Sequence, residues 1–258
     1  MPQEANQYPG SVRACIVIPC YNESARLRST EFLEFAAAHD QIAFLFVNDG
    51  SKDNTLDLLQ RLCSEHEGTL FYLDLGTNRG KAEAVRLGML RSIEILQPEF
   101  VGFWDADLAT PLQAIPDFLE TLKERDHLQM VFGARIRLLG RQVKRRPGRH
   151  YLGRIFATVV SIALQLPVYD TQCGAKLFRV TPDLSRILAE PFLSRWIFDV
   201  EIVARVIRAA HGDRGLVEEI IFEMPLMQWE DVAGSKLHST DFFRAILEIY
   251  AIRKKYLS

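Results

Sequence analysis

Two aspartates, Asp105 and Asp107, stand one residue apart in "FWDADLATP", at the end of the apolar run "EFVGFWDAD" that reads as a buried strand. Along a strand, residues i and i+2 share a face, so two carboxylates placed there repel each other unless a cation lies between them. The spacing therefore asks for a metal. A hard divalent cation takes oxygen ligands and completes its shell with water or substrate phosphate, so few protein carboxylates are needed. If it bridged a nucleotide diphosphate, it would neutralise a departing phosphate.

Other polar residues raise related questions. Asp49, in "NDGSKDNT", follows a second apolar run; it either opens a turn and a helix N-cap or offers its carboxylate to a nucleobase or ribose. From His127 through Tyr169 there is no Asp or Glu, yet the segment holds Arg135, Arg149 and six further Lys or Arg residues. It leads into the apolar stretch "IFATVVSIALQLPV", a pairing that suits anionic lipid head groups and acyl chains. Residues 135–168 are thus expected to touch a membrane surface. Aromatic residues do not interleave with these arginines as stacking on bases would require, so no nucleic-acid partner is expected. Asp199 and Glu201 lie within an apolar pattern, where a carboxylate needs a partner or a task. Trp196 and Trp229 read as core.

The elements that must carry these residues alternate. "VRACIVIP", "IAFLFVND", "LFYLDL", "FVGFWDAD" and "MVFGAR" read as strands, and "SARLRSTEFLEFAAAH", "NTLDLLQRLCSEH", "KAEAVRLGMLRSIEIL" and "LQAIPDFLETLKER" carry apolar residues at helical spacing. A repeated β-α rhythm predicts an α/β fold, a mainly parallel sheet flanked by helices, whose ligands collect at the carboxyl ends of the strands. The loops "PCYNES", "NDGSKDNT", "GTNRGK" and "DADLATP" fall on that rim.

Beyond residue 136 the pattern gives a basic stretch, an apolar helix, a polar insert "YDTQCGAKLF", a helix through "RWIFDVEIVARVIRAA", a strand "LVEEIIFEMPL", a loop with "EDVAGSK" and a terminal amphipathic helix. No repeat or linker separates domains. A single domain is expected, with a first half over 12–135, a second half over 136–240 that completes its cleft, and a helix over 241–258.

Several classes are excluded. "GTNRGKA" has one residue too few for a phosphate-binding P-loop and Ala82 where Ser or Thr belongs, and GxGxxG is absent. The formal net charge of −2 does not suit a chain that coats nucleic acid through overall charge. Cys15, Cys20, Cys63 and Cys173 form no CxxC pair and have no His at zinc spacing, so buried reduced thiols are expected. No basic start with an apolar core marks a secretory signal, and no run reaches the roughly 18 apolar residues of a membrane span. A cytoplasmic location, peripheral on the cytoplasmic face of a membrane, is expected.

In order, "VIPCYNES", "VNDGSKDNT", "NRGKAEAVRLGML", "DADLATP", "GAR", "DTQCGAKLF", "RWIFDVE" and "GSK" resemble the motifs of family 2 inverting glycosyltransferases of GT-A fold. The later motifs most resemble the dolichyl-phosphate β-glucosyltransferase branch. The resemblance implies transfer of a hexose, glucose from UDP-glucose, to a polyisoprenyl phosphate with inversion. It places Pro19, Tyr21, Glu23 and Asp49 around the nucleoside, with Lys81 nearby. Asp105, Ala106 and Asp107 match the DXD motif that holds Mg2+ or Mn2+ on the diphosphate, and Arg135 and Arg149 match arginines near the phosphates.

By the same resemblance Asp199 and Glu201 orient the acceptor or arginine side chains, with Asp199 a general base if the acceptor is a hydroxyl. Lys236 of "GSK" contacts phosphate from a mobile loop. The alternative reading is a soluble family 2 enzyme acting on a hydroxyl of a saccharide, protein or small molecule. The sequence departs from the family at Asn48, where many relatives have Asp, and in lacking a glutamine after DXD; the membrane anchor that many relatives carry is not expected here.

Overall fold

A computed structural model describes residues 12–66, 68–144, 147–230 and 239–257, side chains excepted at 147–151 and 239–243. By internal contacts the chain forms two compact units, one comprising residues up to Leu108 plus Leu177–Ser185, the other Ala109–Lys176 plus Arg186–Ser258.

In the first unit, four strands are joined by helices: β1 (Ala14–Cys20), α1 (Ser29–Ala38), β2 (Ile42–Asn48), α2 (Thr55–Glu65), β3 (Leu70–Asp74), α3 (Lys81–Leu96) and β4 (Phe100–Trp104). Every residue of β2 and β4 is buried, as for strands covered on both faces, and β1 pairs in parallel with β2 and β4, while β2 pairs with β3. On one face, Phe32 of α1 meets Phe44 and Phe46 edge-on at 5.3 and 4.9 Å; the two sheet residues share that face because they are two apart. On α3, a Cβ at Gly88 would lie 2.5 Å from a Val17 methyl and 2.8 Å from a Val47 methyl, so glycine is what lets this helix approach the strands.

The second unit holds α4 (Ile115–Glu124), β5 (Met130–Ala134), β6 (Gln142–Lys144) and α5 (Pro147–Leu164), with a 3-10 turn Leu112–Ala114 before α4. β7 (Ala175–Arg179) and α6 (Pro182–Ala189) run through the unit boundary. After them come α7 (Phe198–Ala209), α8 (Arg214–Ile220), β8 (Ile221–Pro225), β9 (Gln228–Glu230) and α9 (Ser239–Tyr256). β5 pairs in parallel with β8, and β6 with β9 as a separate ribbon. The main sheet has seven strands in the order β3-β2-β1-β4-β7-β5-β8.

All residues from Phe198 to Ile207 on α7 are buried, which makes α7 the central helix of its unit. The terminal helix α9 packs with one stripe, Ala245, Ile249, Ile252 and Tyr256, and leaves Leu247 and Tyr250 exposed.

Two elements differ from the sequence reading. The expected strand over 216–226 begins as α8, because Asp213 caps it by accepting the Leu216 N–H at 3.0 Å and the apolar residues 216, 217, 220 and 221 follow a helical rather than an alternating pattern. The polar insert "YDTQCGAKLF" ends in β7, a strand the reading missed because Lys176 interrupts its apolar run. All four cysteines are buried and unbridged, as expected. No helix among the described residues is long and apolar enough to cross a membrane.

Candidate active site

The loops that follow β1, β2 and β3 are sewn to one another by short hydrogen bonds. Asp49, 3% exposed just past β2, accepts the backbone N–H groups of Arg79 at 2.6 Å and Gly80 at 2.9 Å from the loop before α3. Its neighbour Gly50 has φ +63°, and a Cβ there would stand 2.4 Å from the Asn78 nitrogen, so the two loops touch backbone to backbone. Asn48 donates to the Asp74 carboxylate at 2.8 Å and accepts the Ser51 N–H at 3.2 Å. An aspartate at position 48 would set two carboxylates together, which accounts for the amide here. Asp53 receives Thr55 and Ser24, both through backbone N–H and hydroxyl. These bonds outweigh slight burial and hold its carboxyl down at about 2. "NDGSKDNT" is therefore a structural turn, and it also fixes Asp49 on the rim.

The paired aspartates do not lie within a strand. β4 ends at Trp104, and Asp105 to Leu108 form a turn closed by the Leu108 N–H on the Asp105 carbonyl at 3.1 Å, with Leu108 at φ +51°. The same-face argument from strand alternation is corrected accordingly: a turn, not a pleat, presents both carboxylates. Ala106 is buried between them. The ammonium of Lys81, first residue of α3, lies 2.5 Å from Asp105 Oδ1.

Pro19, one residue before the end of β1, lies opposite Val47, and Tyr21 beyond the strand is 39% exposed. Glu23 accepts from Arg26 at 2.6 Å through one oxygen, while its buried Oε2 has no hydrogen-bond partner among the described residues. Burial pushes the Glu23 carboxyl up; Arg26 pulls it down, and Asp107 and Asp53 push it up further. Glu23 and Asp107 are thus electrostatic neighbours.

This acidic end suits a divalent ion. Its donors are hard oxygens, a cation already sits on Asp105, and Glu23, which feels the charge of Asp107, has a carboxylate oxygen without a hydrogen-bond partner among the described residues. Among the described residues no three His, Cys, Asp or Glu side chains gather as a complete metal cage, which leaves part of the shell to water or phosphate.

In the second unit, Arg135 is clamped by Asp170: its Nε and Nη2 donate to the two carboxylate oxygens at 2.6 and 2.7 Å, and its backbone N–H adds 3.0 Å. Trp229 lies under the guanidinium, 5.3 Å away, and is buried as expected, whereas Trp196, also read as core, is 52% exposed. Glu223 accepts the N–H groups of Tyr169 and Asp170, both at 2.7 Å, and burial pushes its carboxyl up.

The carboxylates flagged on α7 are both engaged. Asp199 pairs with the fully buried ammonium of Lys176 at 2.7 Å. Glu201, with no exposed surface, accepts from the Leu193 and Ser194 N–H groups, from Arg205 and from the Tyr256 hydroxyl. Glu201 orients Arg205, which in turn donates to the carbonyls of Ile187, Glu190 and Pro191. The Arg149 side chain and Lys236 lie outside the described residues.

Asp170, Lys176 and Glu223 were missed as site residues. For Lys176 and Glu223 the signal existed, a charged residue inside an apolar run, the rule that had flagged Asp199 and Glu201; Asp170, at the start of the polar insert, carried no such mark.

Residues 15–184 match the sequence signature described as glycosyl transferase family 2. The chain belongs to that family. This family 2 glycosyltransferase is 29% identical over 95% of its length to a dolichyl-phosphate beta-glucosyltransferase of Trichomonas vaginalis, covering 72% of that protein. To the dolichyl-phosphate beta-glucosyltransferase of Saccharomyces cerevisiae it is 30% identical, over 94% of the chain and 74% of the relative.

Among solved structures, the glucosyl-3-phosphoglycerate synthase of Mycobacterium tuberculosis in complex with Mn2+, UDP-glucose and phosphoglyceric acid superposes with a TM-score of 0.66 at 16% identity. That match covers 93% of this chain and 79% of the other. The mannosyltransferase of Pyrobaculum calidifontis in complex with GDP-mannose and Mn2+ gives 0.61 at 15% identity, over 98% and 66%. The family 2 chain therefore has the GT-A fold that its motifs implied, and it is a glycosyltransferase.

Proposed function

We propose that this enzyme moves glucose from UDP-glucose to a polyisoprenyl phosphate of the dolichyl type, with inversion, at the cytoplasmic face of a membrane. The observation that carries the donor side is the sewn rim: Asp49, the Arg79–Gly80 amides, Lys81 and the Asp105–Asp107 turn stand at the ends of neighbouring parallel strands. The names of the relatives that match nearly the whole chain support the acceptor.

Asp105 and Asp107 would hold Mg2+ or Mn2+, which when bound supplies charge neutralisation to the leaving diphosphate. The chain's own residues do the rest. Pro19, Tyr21 and Glu23 border the nucleoside, and Asp49 keeps the loop before α3 in place. An acceptor phosphate is already anionic at neutral pH, so no strong general base is needed; Arg135, Arg149 and Lys236 serve by drawing two anionic reactants together. Asp199 and Glu201 act by position, through Lys176 and Arg205.

Peripheral contact with the membrane runs through residues 135–168. On α5, Ile155 and Ile162 are 56% and 67% exposed on a helix whose other side is buried.

The test supplies UDP-glucose, a divalent cation and a polyprenyl phosphate in detergent micelles, and assays for lipid-linked hexose. The expected result is product that disappears on chelation and falls by about a thousandfold or more in Asp107→Ala, since electrostatic stabilisation of a leaving group is commonly worth several kcal/mol. Product formation without metal, or transfer to hydroxyl acceptors only, would overturn the proposal.

A further inference from the structure

The ion pair between Lys81 and Asp105 rests on the donor-site reading above, because it occupies one of the two carboxylates assigned there to a divalent cation. Its setting is unusual. Lys81 opens α3, a sixteen-residue helix, and a helix start carries partial positive charge, so a lysine there is unfavourable without an anion facing it. The anion it faces, Asp105, stands two residues before Asp107, whose carboxylate is felt by Glu23 as a like charge. Both partners are about one-third exposed, at 33% and 35%, and an exposed ion pair separates at little cost.

We propose that Lys81 is the resident counter-ion of the aspartate pair. Its ammonium neutralises Asp105 in the absence of a divalent cation, competes with that cation for the carboxylate, and once displaced turns to the diphosphate of the donor. One exchange then serves both charges: the cation takes the carboxylates, and the released ammonium, with the helix start behind it, meets the phosphate. Metal and nucleotide binding become coupled through one side chain.

The experiment titrates Mn2+ by electron paramagnetic resonance of the free ion, without nucleotide and then with UDP, for the parent chain, Lys81→Gln, Lys81→Arg and Arg79→Gln. Thermal melts establish that each variant is folded. Without nucleotide, Lys81→Gln should bind Mn2+ about threefold to tenfold more tightly than the parent, the scale of a lost exposed ion pair plus relief of charge repulsion. Lys81→Arg should match the parent. Arg79→Gln, which removes the same charge two residues earlier, should change affinity by less than about twofold.

With UDP present the order should reverse, Lys81→Gln holding UDP with Mn2+ roughly tenfold more weakly. An improvement in one arm and a loss in the other is not what a merely structural role for Lys81 would give. The proposal is overturned if Lys81→Gln binds Mn2+ no more tightly, if Arg79→Gln reproduces its effect, if neither parent nor variant takes up Mn2+, or if UDP binding survives the change. Were UDP to bind none of the proteins, the donor reading would fall, and the Mn2+ arm would still decide whether Lys81 competes.

Discussion

Glu23 shows most sharply what a single side chain contributes here. It is a partly buried carboxylate with one oxygen on Arg26 and the other, buried, without a hydrogen-bond partner among the described residues, and its carboxyl is held above the ordinary glutamate value by burial first. For an acid raised in this way, the charged form is disfavoured in the fold, so the cost is present near neutrality and vanishes once pH falls below the ordinary value. Glu23→Gln is therefore expected to raise thermal stability at pH 7 by about 1 kcal/mol, the scale of an unsatisfied buried oxygen, with the gain shrinking towards pH 4. Melting curves across that range check the sign. The same variant should bind UDP-glucose less well, since the assignment places this carboxylate beside the nucleoside.

Chemistry at this scale was partly legible. Acidic spacing alone singled out Asp105 and Asp107, although the reason given, strand alternation, was replaced by a turn. Asp49 could be read either as a cap or as a ligand; its position on the rim and its hydrogen bonds to Arg79 and Gly80 are features of tertiary packing that no local pattern encodes.

At the scale of elements, the first 135 residues were readable because each strand and helix obeys its own period; α3 spans the residues of "KAEAVRLGMLRSIEIL" from first to last. The later half was harder. α8 and β8 abut without an intervening turn, so that one apolar run conceals two structures, and β7 contains a buried lysine whose partner, Asp199, lies 23 residues further on. Loops matter as much as regular elements. Gly50 joins the turn after β2 to the loop before α3 with no room for a side chain. Gly50→Ala meets both a positive φ and a backbone contact and should cost about 2–4 kcal/mol, measured as a lower urea midpoint with unchanged slope. Because the contact positions Asp49, UDP affinity should drop with it.

For the whole molecule, the proposed lipid acceptor raises the question of how an enzyme whose described helices do not span a bilayer would reach it. The basic tract and α5 answer it in the proposal: Ile155 and Ile162 point outward from a helix that lies within a segment with no acidic residue, 127–169. The parent is expected to float with anionic phospholipid vesicles and to be released by high salt, and the double variant Ile155→Glu, Ile162→Glu to lose about tenfold or more in vesicle affinity. A parent that stays at the bottom of the gradient would remove the membrane contact from the proposal.

The path of the polypeptide carries a last implication. It leaves the first compact unit after Leu108, re-enters at Leu177 and departs again after Ser185, so neither unit is a continuous stretch of chain. A fragment stopping at Leu108 would strip β4 of its neighbour β7 and bare a strand edge to solvent. A chimera that replaced one unit with a foreign one would therefore need three junctions, near residues 108, 177 and 185, where a continuous unit would need one.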